Sequence, residues 1–345
     1  MSDLSRLAVN FQRFAEVECG RSPLYRRLAM GVAADPSLLA LADQGGSLPK
    51  TNLLFAAVHY LLLQGISHAL SRFYPTVTPG VTPPDDPYPY FRDFCLAHGK
   101  DIVPLLKTRR VQTNEVARSA FLHPAFSYLA GRTGTPLAAV EVGTSAGLLL
   151  AWDRYHLDYG AAGQGGDLSS PVHILCEVKG SRRLPLAQPA PAVRFRAGID
   201  LHPIDVKNPE EALWLRALVW GDQPERAERL GLAIGCAAPY LPTLTQGDAA
   251  EALPGILEQL PERGVSRVVF HCHTLNQFTP EARQGFTDLL CRQSGQADLF
   301  QLSLEAAPGL DYPEMRLLRY ARGAKAEEAL LARYHAHGDW IEWLA

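Results

Sequence analysis

Residues 139–160 read AVEVGTSAGLLLAWDRYHLDYG, in which an apolar run meets a glycine, a small polar turn, a second glycine and then an amphipathic stretch. A strand ending at Val142, a turn holding Gly143, Thr144, Ser145 and Gly147, and a helix begun by Leu148, Leu149 and Leu150 make the first βα unit of an α/β sheet. Glycine serves such a turn where backbone must approach a ligand or adopt positive φ. The helix that follows offers unpaired N–H groups and the positive end of its dipole. Taken alone, the turn reads equally well as a nucleotide cradle or as a connection without a ligand.

On either side of this unit the hydrophobic period differs. Up to about residue 132, apolar residues recur at helical spacing, as in Leu7, Phe11, Phe14 and Val17 or Leu54, Val58, Leu61 and Leu62. The segment 75–89, PTVTPGVTPPDDPYP, carries six prolines and reads as an extended connection. From residue 133, short β-branched runs at 137–142, 172–178, 193–199, 241–246, 266–272, 298–304, 315–321 and 329–335 alternate with helical patterns such as PEEALWLRALVW, PERAERLGLAIGCA and PEARQGFTDLLCRQ. Strands alternating with helices imply a mostly parallel sheet covered on both faces, here closed by antiparallel pairing at the end. The expected architecture is an all-helical N-terminal cap domain, 1–132, followed by a Rossmann-like domain, 133–345. A hairpin inserted at about 165–198 would account for the excess length before the strand at 193–199.

Composition narrows the partners. The chain has 345 residues, 47% of them hydrophobic, and 33 basic against 36 acidic side chains leave a formal charge of −3. No global field favours nucleic acid or an anionic membrane, so a small-molecule substrate is the expected partner. Six cysteines at 19, 95, 176, 236, 272 and 291 include no Cys-x-x-Cys pair, which argues against a zinc ribbon or a disulfide framework. The apolar window Leu53–Leu63 is short and interrupted by His59, so it reads as a buried helix and not a membrane span. Without a signal-peptide pattern at the N-terminus, a cytoplasmic location is expected. The oligomeric state is open.

Three features downstream bear on the turn. AGIDLHPIDV ends a strand at Asp200, where a carboxylate can accept ribose hydroxyls; TQGDAAEALP brings Gly247 and Asp248 to the start of a helix; VVFHCHTLNQF ends an apolar strand in polar residues. With these, the sequence resembles the S-adenosylmethionine-dependent methyltransferase superfamily, in which an acid and a glycine-rich turn follow the first strand, an acid ends the second and an Asp ends the third. It resembles more narrowly a bacterial family without assigned function, domain-of-unknown-function family 2332, through EVGTSAGLLLAWDRY, GIDLHPIDV, WLRALVWGDQPERAERL, QGDAAEALP and HGDWIEWL. The resemblance implies S-adenosylmethionine as cofactor, held by Glu141, Gly143, Thr144, Ser145, Gly147, Asp200, Gly247 and Asp248. Two departures stand out. Ser145 replaces the usual central glycine, and Asp200 follows Gly143 by 57 positions where about 20 are usual. If 172–178 is instead the second strand, Glu177 takes the ribose role.

Acid–base help for an oxygen or nitrogen acceptor points to His271 and His273, which on one strand would face the same way. Asn114 and Glu115 join them as substrate-contacting candidates, on one helix with Arg118 and His123; Glu115 and Arg118, three apart, also read as a surface ion pair. His271 and His273 lack an obvious third metal ligand, so no metal is expected. Methyl transfer to a small or medium-sized acceptor is the leading expectation, and a Rossmann-like binding or regulatory protein that has lost the activity is the alternative. A dehydrogenase lacks its Gly-x-Gly-x-x-Gly spacing.

Overall fold

A computed structural model describes residues 3–46, 49–80, 82–261, 263–306 and 309–345. The chain divides into two compact units, Met1–Thr113 with Lys207–Gly231, and Asn114–Val206 with Leu232–Ala345.

The first unit is helical: α1 (Asp3–Arg13), α2 (Pro23–Ala33), α3 (Pro36–Asp43), α4 (Lys50–Leu63), α5 (Pro87–Ala97) and α6 (Gly99–Thr108). In the second unit the chain forms α7 (Ser119–Thr133); it later returns to the first unit for α8 (Pro209–Ala217) and the start of α9 (Pro224–Ala237). The helical unit thus ends earlier than residue 132 and recruits a later segment. Proline at the first turn and a capping side chain start several of these helices, as where Ser22 Oγ accepts from Tyr25 N–H and itself donates to Asp222. The last two prolines of the 75–89 segment belong to the first turn of α5, and residue 81 lies outside the described residues. Helix α4 is buried nearly all round. His59 in its middle is satisfied at both ring nitrogens, by Ala217 O at 3.0 Å and Thr76 Oγ1 at 2.7 Å. Stacking of Tyr25 on Trp220 at 5.2 Å and the Phe14–Phe55 pair mark the aromatic centre of this unit. Among the described residues no helix is long and apolar enough to cross a membrane.

The second unit is a mixed α/β body. Its strands are β1 (Leu137–Val142), β2 (His156–Asp158), β3 (Gln164–Gly166), β4 (His173–Leu175), β5 (Glu177–Lys179), β6 (Val193–Asp200), β7 (Thr245–Gln246), β8 (Ser266–Cys272), β9 (Leu299–Glu305), β10 (Glu314–Ala321), β11 (Ala324–Tyr334) and β12 (Trp340–Trp343). Nine form one sheet in the order β5-β12-β11-β10-β9-β8-β1-β6-β7, and β3-β2-β4 form a small one. The block β7-β6-β1-β8-β9 is parallel, and β5 is parallel to β12. The pairings among β9, β10, β11 and β12 are antiparallel, so the sheet closes with an antiparallel block and not with a single last strand. Strand β1 is buried at every position, as a central strand covered on both faces requires. On one face Val140, Val142, Ile199 and Val269 pack with α10 (Ala249–Leu257) and α11 (Pro280–Gln293). Phe270 points to the other, where Phe126 of α7 meets it edge-on at 5.5 Å.

No inserted hairpin forms. The run 172–178 is split between the small sheet and an outer strand of the large one, while 193–200 is the central neighbour of β1. Residues 180–192 between them carry Pro185, Pro189 and Pro191, too long and too proline-rich a link for a hairpin turn.

Phe270 is fully buried. Phe270→Ala should therefore cost about 3–5 kcal/mol, read as a lower urea midpoint by circular dichroism.

Candidate functional site

The chain leaves β1, pairs β6 on one side of it and β8 on the other, so the sheet's switch point lies at the carboxyl end of β1. Open parallel sheets bind ligands at such a point. The turn there is left-handed at three places: φ is 73° at Gly143, 52° at Ser145 and 73° at Gly147. A Cβ at Gly143 would lie 2.3–2.9 Å from the Thr274 side chain, so this glycine is required by a close approach as well as by its φ. The backbone donors of the turn are engaged within the protein. Gly143 N–H and Thr144 N–H donate to Ile199 O, Ser145 N–H to Asp200 Oδ2 at 2.8 Å, and Gly147 N–H to Thr144 O.

The helix expected after Gly147 is absent. Leu148–Arg154 forms a seven-residue 3-10 segment with a kink at Ala151. Leu148 to Trp152 are all buried, so the stretch lacks the solvent face of a surface helix and follows the core instead.

The acids fall into three environments. Glu141 is buried, and its carboxylate accepts from Thr144 Oγ1 at 2.7 Å. Burial pushes its pKa up to about 8, Asp200 adding to the rise while the Thr144 hydroxyl and Arg118 oppose it. Asp200, ending β6, accepts from Ser145 N–H and His202 N–H. Asp248 is exposed at the end of the short β7 and caps α10 by accepting from Ala250 N–H at 2.7 Å; Gly247 N–H donates to Asp200 O. Glu177 sits exposed on β5 at the opposite edge of the sheet, so of the two ribose candidates only Asp200 adjoins the turn.

The two histidines do not face the same way. Strand β8 ends at Cys272, and His273 leaves it with φ 54°. His271 is wholly buried on the α10–α11 face: Nδ1 lies 2.7 Å from Glu305 Oε1, and Nε2 lies 2.9 Å from Gln301 Nε2, whose Oε1 accepts from Tyr320 OH. Gln301 donating to Nε2 assigns the proton to Nδ1, which donates to Glu305. Glu305 also accepts from Thr274 N–H and Leu275 N–H. Burial works to raise this carboxyl, but the His271 contact and the two backbone donors outweigh it and hold it below the ordinary range. His271 therefore supports the 273–277 loop and is shielded from any substrate. His273 adjoins Tyr334 OH at 3.3 Å, and its pKa is pushed down to about 4 by burial, helped by Arg118 and His337 and opposed by Glu305.

Asn114 and Glu115 precede the helix instead of lying on it. Glu115 caps a 3-10 turn, Val116–Arg118, by accepting from Ala117 N–H, and α7 begins only at Ser119. Glu115 is buried with Oε2 3.7 Å from His337 Nδ1, while Arg118 Nε donates to Ala336 O at 2.9 Å. Neither behaves as half of a surface pair. Asn114 Nδ2 donates to Thr144 O at 3.1 Å, and its Oδ1 is buried without a partner among the described residues. Gly338 packs so tightly on this turn that a Cβ there would come within 2.3 Å of Ala117 Cβ.

The resulting rim brings together Asn114, Glu115, Glu141, Thr144, Asp200 and His273 and leaves His271 outside it. Arg118, Cys272, Tyr334 and Glu305 are its members that sequence reasoning missed as site residues; the polar ends of the runs 266–272 and 329–335 were the available signal. No cluster of three or more metal-binding side chains occurs among the described residues.

The chain belongs to the family described as uncharacterised protein conserved in bacteria, domain of unknown function 2332, whose model matches residues 8–343. No curated protein and no solved structure matches it.

Glu141 has a measurable signature. Between its ordinary value near 4.5 and about 8, the folded chain holds a proton that the unfolded chain has lost. Its contribution therefore falls as pH rises through that window. Glu141→Gln should flatten this fall in denaturant titrations, gaining roughly 3–5 kcal/mol over the parent at about pH 9.

Proposed function

We propose that this member of the family binds S-adenosylmethionine and transfers its methyl group to a small or medium-sized acceptor. The observation that carries the reading is the placement of three carboxylates, Glu141, Asp200 and Asp248, at or next to the carboxyl ends of the adjacent parallel strands β1, β6 and β7, around a left-handed turn at the switch point. A parallel block followed by an antiparallel strand beside β9 also suits the methyltransferase-type Rossmann fold that the sequence resembles.

The donor chemistry favours this cofactor over phosphate-bearing nucleotides. A pyrophosphate needs free backbone N–H groups and a helix N-terminus. Here the N–H groups of Gly143, Thr144, Ser145 and Gly147 are already engaged, and the segment after the turn is a short 3-10 helix. What the rim offers instead is side-chain acceptors, which suit ribose hydroxyls. Asp200 would take the ribose hydroxyls, Asp248 the adenine side, and the Glu141–Thr144 turn the methionine end. Bound there, the cofactor supplies an activated methyl group, and the protein's task is in-line positioning. His273, neutral at physiological pH, and Asn114 and Glu115 stand at the acceptor side of the rim.

Thr274 filling the space above Gly143 favours a second reading, a binding or regulatory protein of the same fold without the cofactor.

Calorimetric titration separates the two. Binding of S-adenosylmethionine and S-adenosylhomocysteine at micromolar levels, with none of NAD or ATP, is the expected outcome; no binding by any of the four leaves the second reading. Asp200→Ala should weaken binding by roughly 1.5–3 kcal/mol, and unchanged affinity in the folded variant would remove Asp200 from the ribose role.

A further inference from the structure

Arg118 stands at the centre of the rim, and among the described residues no carboxylate pairs with it. The 114–118 segment is held at three points: Asn114 on Thr144 O, Ala117 against Gly338, and Arg118 Nε on Ala336 O. The guanidinium therefore has a fixed position. Cys272, His273, Tyr334 and Glu141 lie within range of its charge. Among the described residues it forms no ion pair, and the terminal NH2 groups have no oxygen partner, the Cys272 thiol being the group beside them. The nearby carboxyls are committed elsewhere. Glu141 holds its proton at neutral pH, Glu115 serves Ala117 N–H and faces His337, and Glu305 serves His271 and the 273–277 loop.

A half-buried guanidinium whose terminal NH2 groups meet a thiol and no oxygen is a fork shaped for a carboxylate, and holding it without a counter-charge costs stability that a ligand carboxylate would return. We infer that Arg118 is a carboxylate-binding residue and that its ligand is the α-carboxylate at the amino-acid end of the cofactor. The inference rests on the proposed cofactor. The source of the carboxylate follows from the same segment: Asn114, four residues before Arg118, bonds the turn that would receive the methionine end. Rim acids would repel a second free carboxylate from an acceptor, whereas the cofactor carries its carboxylate together with a sulfonium and an ammonium that those acids attract.

The test pairs two ligands that share the thioether-bearing adenosine and differ in the amino-acid end, S-adenosylhomocysteine and 5′-methylthioadenosine, titrated calorimetrically into the full chain. The parent should prefer the first. Arg118→Gln should lower affinity for S-adenosylhomocysteine by at least about ten-fold and leave 5′-methylthioadenosine binding unchanged, with Arg118→Lys in between because it keeps the charge and loses the fork. Thermal unfolding of both variants checks that they fold. Parent-like affinity for S-adenosylhomocysteine in Arg118→Gln overturns this inference alone, as does equal loss of both ligands in Arg118→Lys. Failure of the parent to bind either ligand overturns the cofactor reading as well.

Discussion

The hydrogen bond from Ser145 N–H to Asp200 Oδ2 ties the left-handed turn after β1 to the end of β6, beside the bonds from Gly143 N–H and Thr144 N–H to Ile199 O. Ser145 is a non-glycine residue at φ 52°, a conformation that costs on the order of 1 kcal/mol and persists only where its surroundings impose it. A charge-assisted bond to a carboxylate supplies that imposition. Because Asp200 is the last residue of β6, and β6 runs in register with β1 up to the pair Val142–Ile199, the sheet itself sets where the acceptor stands. The long and irregular excursion between β1 and β6, with its small three-stranded sheet, is thereby pinned at both ends.

The rim couples its charges through burial. Burial holds Glu141 neutral, with Asp200 adding to the effect, and burial holds His273 neutral, with the Arg118 guanidinium adding to it. Glu305 stays ionised because an imidazole and two backbone donors converge on it. Two glutamates that would both be ionised in water are thus given opposite protonation states by position, with a neutral histidine and the fixed positive charge of Arg118 beside them. The Tyr320–Gln301–His271–Glu305 chain extends this ordering under the sheet to the loop carrying His273.

Much of the fold was legible in the sequence where a pattern was local. Strands β1 and β8 and helices α9 and α11 have the limits that apolar runs and proline at the helix start mark out. What escaped depends on partners far along the chain. Strands β2, β3 and β12 are three or four residues long and exist because a neighbour pairs with them. The Leu148–Trp152 run carries a helical spacing that burial overrides. For the site, the acids of β1, β6 and β7 stood out because they end strands, whereas Arg118 joins Cys272 and Tyr334 only through folding, and its spacing from Glu115 suggested an unrelated surface pair. His271 was visible as a polar residue on a strand, but nothing local distinguished a shielded imidazole from an accessible one.

The outermost strands of the nine-stranded sheet have a consequence for association. At one side β7 offers two residues before Gly247 turns the chain at φ 155°. At the other, β5 offers three, with Glu177 and Lys179 exposed and Lys179 Nζ held 4.2 Å over the Trp340 ring of its neighbour. These outermost strands are too short to template another strand, and the unpaired main chain lies one strand further in, because β11 meets β12 only at Ala332, Arg333 and Tyr334 and β6 meets β7 only at Ile199 and Asp200.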